Sequence, residues 1–380
     1  MKRLGIDARV LACQPHHGLG VWRYLTRILE RASEDDWDIT LFGDVPEGSL
    51  PRYAFSSRFR YEHVTSALAG ENGGRWEQLA LPTSAAFRRQ ALFWSPSYTT
   101  PLLTRIPRVL TMHDISFDQP APGETPWSGR MRWLARRSVA AARLILTDSE
   151  YSADQMREHW GLSPRRLRVI PLAPDAVDPD WQARRDSTLS RLAVQGRYVL
   201  YVGSMYSRRH LPTLIAALGP ILRDRQGWQA VLVGRNRTRP HEDLEGSIAA
   251  VNAAVGRSAL VHLPFVTDED LHVLYGAAGV FVYLSTLEGF GIPPIEAMQY
   301  GVPVVSTDAG SLREFTPGAA VLVDPGRVDN VRDAIARLID DPAHARDYAA
   351  RSVARAQEFS WDRCAASTWD ALHEVSARRV

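Results

Sequence analysis

The segment Glu288-Gly289-Phe290-Gly291-Ile292-Pro293-Pro294-Ile295-Glu296 packs two carboxylates, two glycines and two prolines into nine residues. It follows an apolar run, 280–285, and opens a helical pattern, 293–300. Gly289 and Gly291 let backbone approach a ligand, and Pro293 and Pro294 suit a first helical turn, where no amide partner is needed. The amides of Phe290, Gly291 and Ile292 would then point outward with the positive end of the helix dipole, which favours an anion such as phosphate. Glu288 lies before the turn and Glu296 inside it. Together they can accept hydrogen bonds from two hydroxyl-bearing parts of one ligand.

Three further clusters sit at the ends of apolar runs. In Gly203-Ser204-Met205-Tyr206-Ser207-Arg208-Arg209-His210, adjacent guanidinium forks can neutralise a diphosphate. Thr111-Met112-His113-Asp114 sets a histidine at the carboxyl end of a strand. His17-Gly18-Leu19-Gly20 offers a glycine loop, but Arg23 occupies the third glycine position of the dinucleotide fingerprint, which argues against nicotinamide binding. Asp178-Pro179-Asp180 has an Asp-x-Asp form, yet lies in a connection, not at a strand end. No histidine spacing fits a metal site, so the sequence predicts no metal and no cofactor beyond the substrate.

The elements that must position these groups alternate. Strand-like runs at 4–11, 39–42, 60–64, 91–95, 108–113, 142–148 and 168–171 are interleaved with helical stretches such as 133–142 and 152–160. A Pro-containing connection with a short helix follows. The second half repeats the pattern, with strands at 198–203, 229–234, 260–266, 280–285, 303–307 and 320–323. Short apolar strands alternating with helices imply an α/β fold with parallel sheets covered on both faces. Two doubly wound domains are expected, 1–172 and 198–359, joined by 173–197 and facing across a cleft, with 360–380 as a further helix capped by Ser360. Ligands of such sheets sit beyond the carboxyl ends of the strands, where all four clusters fall.

The 380 residues suit two large domains, and 45% hydrophobic content excludes a mainly disordered chain. No apolar run is long enough for a membrane span, and no secretory signal is seen, so a cytoplasmic location is expected. Two cysteines exclude a disulfide framework. The net charge is +2, but residues 51–250 carry 28 basic and 18 acidic side chains, a local excess of +10. That excess suits an anionic ligand or surface, while the lack of a dense basic block argues against nucleic acid. Lys2 is the only lysine.

Together, Glu288-x7-Glu296, the Gly203 to His210 turn, His113-Asp114 and Gly18-Leu19-Gly20 resemble family 4 of the retaining glycosyltransferases. So do the 144–152 and 169–171 stretches. The resemblance spans nearly the whole chain and is strongest over 198–325. It implies the GT-B fold, with the last helix crossing back to the first domain. It also implies transfer of a hexosyl group from a nucleoside diphosphate sugar. By the same resemblance, His113, Glu288 and Arg209 are catalytic. Glu288 would touch donor-sugar hydroxyls and His113 would lie beside the sugar. The amides of Phe290, Gly291 and Ile292 would hold sugar and diphosphate. Glu296 would bind the ribose, Arg208 and Arg209 the diphosphate, and Gly18, Gly20, Gly203, Ser204 and Gly289 would line the donor site. Arg209 stands where Lys is usual, His210 where Asn is usual, and Tyr206-Ser207 where Glu-Pro is common.

The pattern around His113 and Glu288 is most similar to the mannosyltransferase branch, which implies GDP-mannose, with UDP-sugars as the rival donor. The implied partners are this donor and a saccharide or lipid-linked saccharide acceptor of bacterial surface polysaccharide. Arg130, Arg132, Arg136, Arg137 and Arg143 surround Met131, Trp133, Leu134 and Val139, a pattern suited to peripheral contact with the anionic inner-membrane surface. No carboxylate pair of glycosidase type is evident, so a front-face substitution without metal is the expected chemistry. A sugar-nucleotide epimerase, a phosphorylase, a nicotinamide oxidoreductase and a silent sugar-nucleotide-binding subunit are the alternatives.

Overall fold

Apolar runs bounded by glycine or polar residues become strands, and those inside each sheet, such as 92–95, 144–147, 280–283 and 304–306, are buried on both faces. The computed structural model describes all residues except 1, 13–18, 33–36, 52, 54–56, 66–72, 122, 123, 125, 239, 240 and 378–380. The chain divides into two compact units. The first comprises 1–118, 127–172 and 361–380, and the second 119–126 and 173–360.

The first unit is built on seven parallel strands, β1 (Lys2–Asp7), β2 (Trp37–Gly43), β3 (Arg60–His63), β4 (Leu92–Ser95), β5 (Arg108–Thr111), β6 (Leu144–Thr147) and β7 (Leu167–Val169). Their order is β3-β2-β1-β4-β5-β6-β7, so the sequence order reverses between β1 and β4. Helices α1 (Leu19–Glu30), α2 (Gly129–Ala141) and α3 (Glu150–Trp160) accompany them. Ser128 and Ser149 cap α2 and α3 by accepting from Met131 and Ser152 amides.

The second unit contains α4 (Trp181–Arg191) and six parallel strands, β8 (Arg197–Val202), β9 (Trp228–Val233), β10 (Leu260–Leu263), β11 (Val280–Tyr283), β12 (Val304–Ser306) and β13 (Val321–Leu322). Their order, β10-β9-β8-β11-β12-β13, places the reversal between β8 and β11. The helices are α5 (Leu211–Asp224), α6 (Leu244–Val255), α7 (Asp268–Ala277), α8 (Ile292–Gln299), α9 (Val328–Asp340) and α10 (Pro342–Ala356). The final helix, α11 (Trp361–Ala377), belongs to the first unit, where it packs on α1. Trp369 meets Trp94 edge-on at 6.2 Å between ring centroids, and His373 stacks on Trp37 at 4.8 Å.

Several boundaries differ from those expected. The first strand ends at Asp7 rather than continuing to Leu11. Asp7 accepts from the Arg9 amide and turns the chain into a 3-10 helix, Arg9–Ala12. The strand read as 108–113 ends at Thr111, which leaves His113 in the loop beyond. The stretch 173–197 holds α4, an integral helix of the second unit. It packs so closely on α7 that a Cβ on Gly276 would lie 2.5 Å from the Trp181 ring. Residues 119–126 also count with the second unit, although they interrupt the first in sequence.

Candidate active site

In the second unit the topological switch lies between β8 and β11. The Gly203 to His210 turn leaves β8, and the loop with Glu288 leaves β11, so the fold sets these two motifs side by side at the usual ligand position. The Thr286 amide donates to the Arg208 carbonyl at 3.0 Å and ties one loop to the other. Gly203 and Gly234 both have positive φ, +142° and +133°. A Cβ on Gly234 would lie 2.1 Å from the Gly203 carbonyl oxygen, and one on Gly203 would lie 2.6 Å from Arg209 Nη1. Close backbone approach therefore requires glycine at both places. His210 adopts the left-handed region, φ 50° and ψ 39°, which histidine, like asparagine, enters more readily than most residues.

Arg209 and Glu288 meet in a two-pronged, buried ion pair. Arg209 Nε donates to Glu288 Oε1 at 2.8 Å and Nη2 donates to Oε2 at 3.1 Å. Nη1 donates to the Ser204 carbonyl at 2.6 Å, and the Tyr283 hydroxyl donates to Glu288 Oε1 at 2.9 Å. Burial by itself would raise the Glu288 carboxyl, but Arg209 and Arg208 hold it below its usual range. Burial opposes the Arg209 charge too, and Glu288 overcomes it, so the guanidinium is held well above its ordinary value. A lysine could not make this paired fork, which accounts for arginine here. Nη1 and Nη2 each retain a second proton for a ligand.

The helix start opposite has the expected form. Gly291 caps α8 with φ +101°, where a Cβ would meet the Leu312 side chain at 2.6 Å. Among the described residues, none accepts from the amides of Phe290, Gly291 or Ile292. The Phe290 ring is buried against Phe315 and Phe359, and Ser311 Oγ donates to the Glu288 and Phe290 carbonyls. The turn is thus held from behind while its amides face outward. Glu296, also buried, accepts from the Tyr275 hydroxyl at 2.8 Å. Arg208 lies over the Tyr206 ring at 4.3 Å and donates to both carboxylate oxygens of Glu124, at 2.8 and 2.6 Å.

His113 belongs to the first unit. Its Nδ1 lies 2.7 Å from Asp148 Oδ2 and its Nε2 lies 3.1 Å from the Pro96 carbonyl. Burial opposes the imidazolium, but the Asp148 carboxylate outweighs it and the histidine is shifted upward. Tyr24 and Tyr98 pack edge-on against the ring at 5.2 and 5.9 Å. Tyr98 has φ +34°, a strained value for an aromatic residue.

The sequence motif paired His113 with its neighbour Asp114, yet Asp114 accepts from the Ser116 amide and hydroxyl and shapes the loop instead. Asp148 was missed as a functional candidate. The signal was present: Thr111 pairs with Leu146 across β5 and β6, so His113 and Asp148 occupy matching positions two residues further on. Tyr283 and Glu124 were likewise not foreseen. Gly20 lies exposed in the first turn of α1 with open space around it, and Gly18 lies outside the described residues. Asp178 bonds Arg184 and accepts from the Asp180 amide, so it organises the start of α4. Among the described residues, no group of three or more His, Cys, Asp or Glu could hold a metal ion.

The His113–Asp148 pair predicts a titration. The His113 ring should keep its extra proton above the ordinary histidine value of about 6.5. In Asp148→Asn burial is opposed only by Asp114 and the Pro96 carbonyl, and the midpoint should fall relative to the wild type. Nitrogen-15 NMR of the imidazole across pH checks this; an unshifted midpoint would contradict it. Because the folded-state value is raised, the pair's stabilisation is complete below about pH 6.5 and fades as pH rises through the folded value, so the variant should lose most stability on the acid side.

Comparison with known proteins accords with this geometry. Residues 186–355 match the family model described as glycosyl transferases group 1, and residues 19–177 match that described as glycosyltransferase family 4. The chain is 33% identical over 270 residues to the O-antigen chain mannosyltransferase B of Escherichia coli, covering 69% of each protein. It is 27% identical over 224 residues to the serotype-specific mannosyltransferase WbdA of Escherichia coli, 58% of this chain but only 27% of that longer protein. In fold it is similar to sucrose-phosphate synthase from Thermosynechococcus elongatus (TM-score 0.73, 19% identity, 100% of both chains). It is also similar to Anabaena HepE in complex with UDP and glucose (TM-score 0.71, 20% identity, 98% of this chain and 100% of that one). The chain belongs to glycosyltransferase family 4, with the two Rossmann-like units of the GT-B fold.

Proposed function

We propose that this glycosyltransferase moves a mannosyl group from GDP-mannose, with retention of anomeric configuration, to a saccharide or lipid-linked saccharide acceptor of surface polysaccharide. The observation that carries the donor sugar is the similarity to the O-antigen mannosyltransferase over 69% of both chains. The chemistry rests on the site. As the bond between the sugar and the diphosphate breaks, negative charge grows on the leaving oxygen. The amides of Phe290, Gly291 and Ile292, with Arg208 and the spare protons of Arg209, stabilise it where it develops. Glu288 keeps lone pairs free for sugar hydroxyls while its charge holds Arg209. Glu296, oriented by Tyr275, accepts from the ribose. His113, oriented by Asp148 and the Pro96 carbonyl, would lie beside the sugar. In a front-face substitution the donor phosphate takes the acceptor proton as the new glycosidic bond forms. Cations and amides supply the electrostatics, so no metal is required.

The test supplies purified protein with GDP-mannose or UDP-glucose, and octyl α-mannoside as acceptor probe, in EDTA. GDP release should depend on the probe, and the product should carry an α-mannosyl linkage. A β-linked product, dependence on Mn²⁺, or preference for UDP-glucose would overturn the proposal. Glu296→Gln should weaken GDP and GDP-mannose alike by about tenfold, the loss expected for a charged hydrogen bond.

Among the described residues no helix is long and apolar enough to cross a membrane. We propose peripheral contact through α2. Leu134 and Val139 are buried, and Arg136 bonds Asp118 at 2.8 Å. Arg130, Trp133 and Arg137 therefore form its outer face, with Arg137 over the Trp133 ring at 5.6 Å. Flotation with phosphatidylglycerol vesicles should capture the protein at low salt and lose it in Trp133→Ala; equal recovery with neutral vesicles would contradict this.

A further inference from the structure

The two arginines of the phosphate turn are engaged differently. Among the described residues, Arg209 donates to groups of the switch-point loops, namely Glu288 and the Ser204 carbonyl. Its partner Glu288 also accepts from Tyr283. That arrangement stays within the two loops and β11, with one proton each on Nη1 and Nη2 left over. Arg208 instead gives one guanidinium nitrogen to both oxygens of Glu124, which lies 84 positions away in sequence on the 119–126 segment. Both side chains keep slight exposure, 12% and 13%. Glu124 has no second side-chain donor among the described residues, and Arg208 Nε is buried without an acceptor among them. Among the described residues Arg208 thus hydrogen-bonds one anion, drawn from outside the turn, and still has an unmet donor, while Glu288 acts on it through space.

A carboxylate held through both oxygens on one guanidinium nitrogen uses a donor that a phosphate oxygen can use instead. We infer that Glu124 is an internal stand-in for the donor diphosphate, neutralising Arg208 between turnovers and exchanging with the nucleoside diphosphate when it binds. The inference rests on the donor site proposed above. Exchange is like for like: one ion pair breaks and another forms, so Arg208 is never left buried and uncompensated. A diphosphate carries more charge than a carboxylate and can also use the Phe290 to Ile292 amides, so it displaces Glu124. After transfer, the returning carboxylate competes with bound product and speeds its departure, a step that limits many enzymes.

Calorimetric titration of GDP into the wild type, Glu124→Gln, Arg208→Ala and the double variant tests this. Glu124→Gln keeps the side chain's size but removes the competing charge. It should tighten GDP by about tenfold, the scale of one charge-assisted hydrogen bond. Arg208→Ala should weaken GDP, and adding Glu124→Gln to it should bring no gain. A Glu124→Gln variant that binds GDP equally or more weakly would overturn the inference, because Glu124 would then be a brace for Arg208. The same tightening in the Arg208→Ala background would overturn it too. If the wild type and variants bind none of GDP, UDP and ADP, with melting temperatures showing folded protein, the donor-site proposal itself fails, and this one with it.

Discussion

The buried pair of Arg209 and Glu288 is the constraint on which the second unit depends. Removing two opposite charges from water is costly, and their attraction offsets the cost only with good geometry and satisfied remaining groups. The second unit meets both conditions. Fork and carboxylate align on two bonds, Tyr283 supplies a third hydrogen bond to the carboxylate, and the Ser204 carbonyl takes a further guanidinium proton. Each partner comes from a loop leaving β8 or β11 or from β11 itself, so the pair also fixes where those loops lie. Gly203 is part of the same constraint, because a side chain there would displace the guanidinium.

The first unit solves a related problem with a different pair. His113 and Asp148 leave adjacent strands at matching positions, and the Pro96 carbonyl takes the ring's other nitrogen. With both nitrogens engaged, the ring is held in one orientation, and Asp148 favours its protonated form. The two units therefore share one design. A parallel sheet delivers loop residues to its carboxyl edge, and a buried ion pair holds them there before any ligand arrives, so little reorganisation remains for the reaction itself.

Much of this was legible in the sequence. Alternating apolar runs gave two parallel sheets, and the glycines and prolines around Phe290 gave a helix start with outward amides. What spacing could not show was which charged groups pair across loops. Arg209 and Glu288 were assigned to different parts of one ligand, yet they bind each other, because side chains 79 positions apart meet only once β8 and β11 are neighbours. Asp148 was passed over in favour of Asp114 because adjacency in sequence was read where strand register decides. Glu124 lay in a stretch without periodicity, where pattern carries no information about contacts. The short helix expected within 173–197 is α4, but its packing on α7, through Trp181 against Gly276, joins residues 95 positions apart and leaves no mark in the local pattern.

A crystal structure of the GDP complex examines the central pair most directly. If Arg209 and Glu288 form the fixed frame of the site, both bonds between them persist with GDP bound. The phosphate oxygens then lie on Arg208, on the amides of Phe290 to Ile292 and on the spare protons of Arg209. A guanidinium of Arg209 swung away from Glu288 and wholly onto the diphosphate would contradict that frame and make the pair a feature of the empty site alone.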